Sequence, residues 1–510
     1  MEATEPPAAP PSPGRAGVSA GRRIPPWILP LGTAVAALIA LLSWGIATPV
    51  GSTPDDDFHM PSIWCAPGTE TGRCELSPKG TDFRRVPGLL SEKAICYRSD
   101  GGATSGRCQE RQAPKHLVAT DRGNWDHSYP PLYYRTMSLF VFDRAGESIL
   151  LIRGVNALLA VGLLGALWWA LPRKEKPLAV VPMAVMSVPL ITYFIPSTNP
   201  STWTITGCAA LLPALWALPA ASRKRGVALS VIAVVSALLA AGARTDGALF
   251  VLMTVGLVGL MRFREYLAAP LRLVAPALSA LVGAGFFLSA GQSSVLAGDI
   301  TTLDRDIGTF DLLAHNFLNM PDLLLGAVGL GSVGMTGWLD TRFSSLPSYL
   351  VLGVWAAMIT VGLRAMTRAK AVGVTLVALS LLVYPLFILG QVRAVVGEMM
   401  QARYMLPLLI MLTATALLGA DGVAARLSRR SYLLAVGVLS FAHAVVLHMQ
   451  IRRYVTGLDV TGFNLSKNVE WWWPHIPGPM AMWVIGSIAF SVAVAGVLST
   501  VRASSRAVAE

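Results

Sequence analysis

Charged side chains are scarce in this sequence. Of its 510 residues, 14% are charged and 54% are hydrophobic, whereas a soluble protein carries charge on about a quarter of its residues. Apolar stretches of roughly 18 to 22 residues recur along most of the chain, and each is long enough to cross a hydrocarbon core about 30 Å thick. The sequence therefore excludes a single soluble core and predicts an all-α polytopic membrane protein.

A phosphate-binding loop of the form GxxxxGK[ST] and a zinc motif of the form HExxH are also absent from the chain. Chemistry driven by a cytosolic nucleotide is therefore disfavoured. The formal net charge of +12 is spread over small basic clusters between apolar stretches, whereas nucleic-acid-binding proteins concentrate positive charge on one face or helix. We therefore predict no nucleic-acid partner.

Cysteine is rare, with five residues in the chain. Cys65, Cys74, Cys96 and Cys108 fall in one polar segment, and an even number in such a segment predicts two disulfides and an oxidising compartment. A zinc site is the alternative, but the spacing does not form paired CxxC motifs. Because four cysteines allow three connectivities, the sequence leaves the pairing open.

The basic residues occur in compact clusters such as Arg173, Lys174 and Lys176. Cytoplasmic loops of membrane proteins carry an excess of Lys and Arg, and about twelve spans would place every cluster, with both termini, in the cytoplasm. Abundant Arg and Ala fit a bacterial source, so we predict a bacterial plasma membrane protein. The predicted spans lie near 27–47, 148–171, 178–195, 202–220, 227–242, 248–261, 273–290, 348–363, 371–390, 404–420, 432–449 and 480–500.

Three long connections are predicted outside the cytoplasm, at 48–147, 291–347 and 450–479. Loops of this length usually carry function or structure of their own, and the first contains the four clustered cysteines. We also expect a disordered cytoplasmic tail at 1–24, a membrane domain over 25–500 and a second cytoplasmic tail at 501–510.

Three adjacent acids follow the first predicted span, in GlySerThrProAspAspAspPheHis at 51–59. Carboxylates this close to one another near a low-dielectric boundary raise at least one pKa or recruit a cation. Asp55, Asp56 and His59 are therefore candidate catalytic residues, and Asp55 and Asp56 are candidate ligands of a divalent cation such as Mg or Mn. The alternative is a helix cap followed by solvated acids, and the residues alone leave both open.

A second polar group lies between the ninth and tenth predicted spans, at 391–407. Guanidinium groups form fork-shaped hydrogen bonds to phosphate oxygens. Arg393 and Arg403, with Gln401 and Tyr404, are therefore candidate ligands of a donor phosphate. The alternative is that each arginine extends to the membrane interface and pairs with a nearby glutamate.

Two further positions are candidates for substrate contact. Arg244 and Asp246 lie between two short predicted spans, and charge this close to the membrane marks a candidate site, with a mutual ion pair as the alternative. His127, beside Asp126, is a candidate acceptor residue, and an ordinary exposed histidine is the alternative.

Three short motifs are spread over most of the chain: ProAspAspAspPheHis at 54–59, TyrProProLeuTyrTyr at 129–134 and GlnAlaArgTyrMetLeuPro at 401–407. Together they resemble a bacterial family of multi-span proteins grouped with the GT-C glycosyltransferases, whose motifs include Pro-Asp-Glu-x-x-His and Gln-Gly-Arg-Tyr-x-x-Pro. Ala402 stands where that family has Gly, and Asp57 is an additional acid. The acids also resemble the acidic pair of actinobacterial arabinosyltransferases, which leaves the sugar open.

The resemblance implies a GT-C-like fold and an inverting transfer of a sugar from a polyprenyl-phosphate donor, outside the cytoplasm, to an envelope glycan or lipid acceptor. By that resemblance Asp55 would accept the proton of the acceptor hydroxyl, while Asp56 and His59 position it or hold the cation. Arg403 would stabilise the leaving phosphate. The candidate acceptor or substrate contacts are Asp57, His127, Tyr133 and Arg244.

Two other classes of protein fit part of the same pattern. One is a transporter or flippase for a lipid-linked or anionic envelope precursor, and the other is a noncatalytic partner in envelope assembly. Transporters generally hold their substrate near the bilayer midplane with intramembrane charges. Here the polar residues concentrate in the outer loops, which favours the enzyme.

Overall fold

A computed structural model of the chain describes residues 27–506, apart from 71, 99, 101, 113, 290–302, 304, 305, 332 and 420–427. The expected tail at 1–24 lies outside these residues. We number the helices and strands in chain order. The helices are α1 (Ile28–Ile46), α2 (Asp56–Cys65), α3 (Cys108–Gln112), α4 (Pro131–Ser138), α5 (Ala145–Ala170), α6 (Lys176–Val185), α7 (Ser187–Phe194), α8 (Ser201–Ala217), α9 (Arg223–Ala243), α10 (Thr245–Met261), α11 (Phe263–Leu267), α12 (Val274–Ser289), α13 (Thr309–Leu325), α14 (Ser345–Leu363), α15 (Arg368–Val392), α16 (Leu406–Leu417), α17 (Arg429–Val455) and α18 (Pro479–Arg506).

Helices long and apolar enough to cross a membrane confirm a multi-pass protein, but not the count of twelve spans. Within the described residues nine helices pass this test, and a tenth span is present if the bent pair α6 and α7 counts as one. The predicted segments 248–261 and 404–420 contain shorter apolar helices, Thr245–Met261 and Ala402–Leu417. Most of the expected segments are thus helical, while the number that cross remains a prediction.

The bend between α6 and α7 has a local cause in the sequence. The two helices meet at an angle of 97°. Val188 has extended backbone angles, φ −103° and ψ 130°, because the ring of the following Pro189 disfavours the helical conformation. The apolar pattern over 178–195 predicts one helix and does not reveal this break.

The first long loop contains a small sheet, which corrects the all-α expectation to a mostly helical one. Strands β1 (Glu75–Leu76), β2 (Arg84–Pro87) and β3 (Leu117–Thr120) form an antiparallel sheet in that order. Arg84 of β2 pairs with Leu76 and Thr120. Both predicted disulfides are present, joining Cys65 to Cys74 and Cys96 to Cys108, so the structure decides the connectivity that the spacing leaves open.

The second long loop is bound to the segment that precedes Arg403. Helix α13 buries Leu312, Asn316 and Met320, and the Asn316 side chain donates to the carbonyl of Ala394 and accepts from the amide of Val396, both at 2.9 Å. This exchange holds the backbone of the arginine-containing segment against α13. At the other end of the chain, α18 continues to Arg506, into the predicted tail at 501–510.

Among the candidate membrane spans, α8 is the most deeply buried, and the acids of the first loop lie beside the segment that enters it. Helix α8 contacts α5, α9, α10 and α16, and 83% of the apolar window in Ser201–Ala220 is buried, against 17% in Pro270–Ser289. The segment 195–200, which enters α8, is therefore held in a densely packed interior, and its polar side chains reach the acids of the first loop.

The topology can be tested by cysteine labelling. Lys79 and Lys224 are both exposed, one in the first loop and one at the start of α9, and the positive-inside rule predicts that they lie on opposite sides of the membrane. We expect Lys79→Cys to react with a membrane-impermeant maleimide in intact cells, and Lys224→Cys to react only after permeabilisation. The reverse pattern would show that the orientation is wrong.

Candidate active site

The chain that leads from α1 to Asp55 is held by side chains from several elements. Seven side-chain hydrogen bonds engage the backbone carbonyls of residues 48–52 and 54, at 2.5 to 3.0 Å. Carbonyls of a segment without regular structure must find such partners when they are buried. The donors are Arg153 to Thr48 and Pro49, Tyr97 and Gln109 to Val50, Trp338 to Gly51, Tyr193 to Ser52, and Asn199 to Pro54.

Asp55 meets Arg403 at the end of this segment. Arg403 Nη2 lies 2.5 Å from Asp55 Oδ2, although 348 positions separate the residues in the chain. Asp55 adopts the left-handed conformation with φ 65° and precedes α2 without making a side-chain cap. Its carboxylate is therefore directed at the guanidinium of Arg403 and, at 3.9 Å, that of Arg122. A left-handed residue other than glycine is strained, and such strain concentrates at functional sites.

The other two acids have hydrogen-bond partners other than Arg403, although Arg122 approaches both Asp55 and Asp57. Asp56 is fully buried and accepts hydrogen bonds from Thr198 Oγ1 at 2.7 Å and from the Thr53 amide at 3.1 Å. Asp57 is paired with Arg122, whose Nε lies 3.0 Å from Asp57 Oδ2. Asp56 accepts from the amide of Thr53, which precedes the helix, so it does not cap α2, and Asp55 makes no side-chain cap either. Asp56 and Asp57 are both buried, so the solvated acids of the alternative are not found.

This arrangement does not fit a divalent cation. Arg403 already neutralises Asp55, and hydrogen bonds occupy both oxygens of Asp56. Within the described part of the chain, no group of three His, Cys, Asp or Glu side chains could hold a metal ion. The predicted metal-binding role of Asp55 and Asp56 stays an untested prediction.

The environment separates the pKa values of the neighbouring acids. Burial raises the pKa of Asp56 to about 6, despite the opposing effects of Arg153 and Thr198. Burial also acts to raise the pKa of Asp55, but Arg403 and Arg122 outweigh it and the net pKa is lowered. At neutral pH Asp55 is therefore ionised and held in its charged form by the cations around it.

His59 lies behind Asp55 in a group of aromatic rings. It is fully buried, its Nδ1 lies 2.9 Å from the hydroxyl of Tyr134, and its ring also packs against Phe58 and Tyr129. Burial lowers the pKa of His59 to about 3, against the opposing effect of Asp55. The ring is therefore neutral, and Nε2 has no hydrogen-bond partner among the described residues.

Two arginines form a cationic wall beside Asp55. The guanidinium carbons of Arg244 and Arg403 lie 4.6 Å and 4.9 Å from the ring centroid of Tyr404, and Arg403 Nη2 also donates to the Tyr404 hydroxyl at 3.0 Å. Arg244 Nε pairs with Asp246 at 2.9 Å. Both side chains are buried, yet Nη1 of Arg244 and both Nε and Nη1 of Arg403 find no partner among the described residues. Buried donors without acceptors are costly, so these two arginines are candidate ligands of an anion.

Three of the other residues predicted from the sequence, Tyr133, His127 and Arg393, lie outside this group of charges. Tyr133 is fully enclosed, with its hydroxyl donating to the Thr198 carbonyl at 2.8 Å, so it supports the site from behind and does not line it. His127 is exposed, in agreement with the simpler alternative. Arg393 donates to the Ile307 carbonyl at 2.6 Å, and the Gln401 carbonyl accepts from the amide of Tyr404 at 3.0 Å.

Several residues of the site are not predicted from the sequence. Arg122, Thr198 and Asn199 are ordinary loop residues in the sequence, and only their contacts reveal a role. Arg153 is different, because it is a charge inside the apolar stretch 148–171, and intramembrane charges usually mark function or a buried partner. That signal could have identified it before the structure was known.

The chain belongs to the family described as predicted membrane protein DUF2142, whose model matches residues 38–412. This confirms the expected family of multi-span proteins, while the grouping with GT-C glycosyltransferases stays a prediction. The oligosaccharyltransferase of Archaeoglobus fulgidus in its apo form is a structural neighbour with a TM-score of 0.34 and 14% sequence identity. The match covers 85% of this chain and 57% of that one. No curated protein matches the sequence.

The buried Asp56 predicts a pH-dependent stability. Its pKa of about 6 in the folded state exceeds the ordinary value of 3.8, so its contribution to stability is full below about pH 4 and is lost as the pH rises through 6. We expect the melting temperature of Asp56→Asn, relative to the original protein, to rise between pH 4 and pH 7. A difference that does not change with pH would show that Asp56 is not raised in pKa.

Proposed function

We propose that this protein is a membrane glycosyltransferase that moves a sugar from a polyprenyl-phosphate donor to an envelope glycan or lipid acceptor outside the cytoplasm. The observation that carries the proposal is the contact of Asp55 with Arg403. It joins a candidate base to a candidate phosphate ligand at 2.5 Å. Arg122, Arg244 and Tyr404 surround the pair.

The reaction needs a base on one side of the anomeric carbon and an anion ligand on the other. The acceptor hydroxyl attacks that carbon while Asp55 accepts its proton, and a new carbon–oxygen bond forms. The bond from the anomeric carbon to the phosphate oxygen breaks, and its electron pair leaves with polyprenyl phosphate. One proton passes from acceptor to Asp55, and the configuration inverts because the attack is opposite to the leaving group.

The cationic wall suits the change of charge in this step. The donor phosphate is a diester with one negative charge, and the departing monoester gains a second. The unpartnered N–H groups of Arg403 and Arg244 supply fixed hydrogen-bond donors in a buried environment, where they stabilise developing charge more than they would in water. Tyr404 contacts both guanidinium groups, which limits their movement.

The contact of Asp55 with Arg403 is then a resting state that the donor opens. Arg403 is 1% exposed and Asp55 is 34% exposed, so the carboxylate has room to move and the guanidinium does not. A donor phosphate bound to Arg403 competes with Asp55 for the same Nη2 and places a second negative charge nearby. The released carboxylate gains basicity when the substrate is present.

Replacing the proposed base tests the mechanism. We expect Asp55→Asn to lower sugar transfer by about 10²- to 10⁴-fold, the usual contribution of a positioned base, because the amide cannot accept the proton. Purified protein in liposomes would be given a radiolabelled polyprenyl-phosphate sugar and an envelope acceptor. Expression and membrane insertion should be unchanged.

Asp126→Asn is the matched control, since Asp126 is an exposed acid of the same loop. It should transfer sugar at the original rate. Full activity of Asp55→Asn would remove Asp55 from the mechanism, and uptake into sealed vesicles without any transfer by the original protein would indicate a carrier and not an enzyme.

The pH dependence tests the opening of the ion pair. In the free protein the pKa of Asp55 is lowered by Arg403 and Arg122 against the effect of burial, with Asp56, Asp57 and Arg244 as the other charges nearby. Bound donor occupies Arg403 and adds negative charge, so the pKa of Asp55 rises in the complex. We therefore expect kcat to fall on the acid side at a higher pH than kcat/KM does, because kcat reports the complex and kcat/KM the free protein.

If kcat and kcat/KM fell at the same acidic pH, the donor would not displace Asp55 from Arg403, and this part of the proposal would be wrong. Arg403→Lys provides an internal comparison, since a lysine keeps the charge but cannot form the same fork-shaped contact. It should weaken transfer and reduce the difference between the pH values at which kcat and kcat/KM fall.

A further inference from the structure

An apolar groove runs along the membrane helices, from the first turn of α1 and the end of α5 to Ile195 just after α7. It has a volume of about 880 Å³ and is bounded by α1, α5, α6, α7 and α18. Ligand cavities in proteins commonly measure about 300 to 1,000 Å³. The 97° bend between α6 and α7 helps to create the space, because a straight helix would continue alongside α5 and α18.

The walls of this groove are apolar over most of their length and basic at one end. Leu41, Leu164, Val180 and Phe490 are among the apolar side chains. At the end formed by the last turn of α5 and the first turn of α6, Arg173 and Lys176 contribute to the lining. An apolar groove that ends in two cations is complementary to a lipid with an anionic headgroup.

Tryptophans mark the basic end as the level of a membrane interface. Trp27, Trp168 and Trp169 all line the groove there, and Lys176 Nζ lies 3.5 Å from the ring centroid of Trp168. Tryptophan is enriched where the hydrocarbon meets the headgroups. Glu175 is the adjacent acid, but it is not among the lining residues.

We propose that this groove binds one anionic glycerophospholipid of the leaflet opposite to the candidate active site. The headgroup phosphate contacts Arg173 and Lys176, and the acyl chains lie along α1, α5 and α18. Basic pockets between membrane helices bind anionic headgroups in this way. In helix α5 (26 residues) Arg153 lies 17 residues before the last residue, Ala170, so at 1.5 Å per residue the basic end of the groove is about 26 Å from Arg153.

The proposed headgroup site of this lipid lies apart from the site proposed for the phosphate of the polyprenyl-phosphate donor. The donor phosphate would bind at Arg403, away from Arg173 and Lys176, so the two phosphate sites are distinct. The apolar end of the groove reaches Ile191 and Ile195, near Phe194, whose ring packs against Arg403. The inference therefore goes beyond the proposed function and does not rest on it, and it can be tested without any transfer assay.

Native mass spectrometry of the full-length protein in a neutral detergent measures the binding directly. Phosphatidylglycerol and phosphatidylcholine with identical acyl chains would be titrated in parallel, followed by polyprenyl phosphate. We expect one phosphatidylglycerol to bind with higher affinity than phosphatidylcholine. In the double variant Arg173→Gln/Lys176→Gln, the affinity for phosphatidylglycerol should fall about 30-fold, since each basic residue near a headgroup contributes about 1 kcal/mol of binding free energy.

The chain offers a matched control for each change. Lys174→Gln removes a neighbouring charge that does not line the groove and should leave the affinity unchanged. Gly165→Leu fills the groove, because Gly165 lines it and a Cβ there would meet nothing within 4 Å. Gly162→Leu makes the same change on the same helix, also with open space around the added Cβ, at a position outside the lining.

Loss of binding in Gly165→Leu but not in Gly162→Leu would support the groove as the site. Equal affinity for phosphatidylcholine, or unchanged binding of phosphatidylglycerol by the double variant, would overturn the proposal. Polyprenyl phosphate that binds more tightly than phosphatidylglycerol and is lost in Gly165→Leu would also overturn it, because the groove would then hold the other class of lipid.

Discussion

The placement of Asp55 depends on the hydrogen bonds that hold the backbone before it. Between Thr48 and Pro54, carbonyl groups in a segment without regular structure are bound by side chains from the loops and from α5 and α7. Gly51 adds a steric constraint, since it has φ 75° and a Cβ there would lie 2.6 Å from Ile95. The segment has little freedom to relax, which allows Asp55 to keep a strained conformation directed at Arg403.

These restraints come from parts of the chain that the apolar pattern treats as separate. Arg153 lies within α5, while Tyr97 and Gln109 flank the disulfide between Cys96 and Cys108. The folded first loop is therefore part of the support for the site and not only a cover over it. Arg453 adds to this connection, since it is fully buried and pairs with Asp340 at 2.9 Å while donating to the carbonyl of Tyr97 at 2.6 Å.

Charge is distributed unevenly through the buried site. Asp57 and Asp246 each neutralise one arginine, and Asp55 neutralises Arg403. The pairs leave no large net charge to bury, which limits the cost of desolvation. The unpartnered N–H groups of Arg244 and Arg403 are the exception, and they lie where an added anion would restore the missing hydrogen bonds. The same few arginines thus pair with the buried acids and keep N–H groups that no described residue accepts.

Prediction from the sequence succeeded where a single local property decides the outcome. The scarcity of charge and the apolar stretches determined a multi-pass membrane protein, and the grouping of Cys65, Cys74, Cys96 and Cys108 determined two disulfides. The prediction failed where geometry overrides the pattern. The break at Val188 and the sheet around Arg84 were missed, because strands this short and a single bend leave almost no periodicity to detect.

The sequence by itself determined which residue types were available, since a carboxylate run after the first span and an Arg-Tyr pair after the ninth are visible in one dimension. Only the tertiary structure decided that Asp55, and neither Asp56 nor Asp57, meets Arg403. The physical reason is that Asp55 precedes α2 in a left-handed conformation, whereas Asp56 and Asp57 begin the helix, so the three side chains point in different directions. Thr198 bonds Asp56, Arg122 approaches both Asp55 and Asp57, and no local pattern encodes the proximity of these segments to α2.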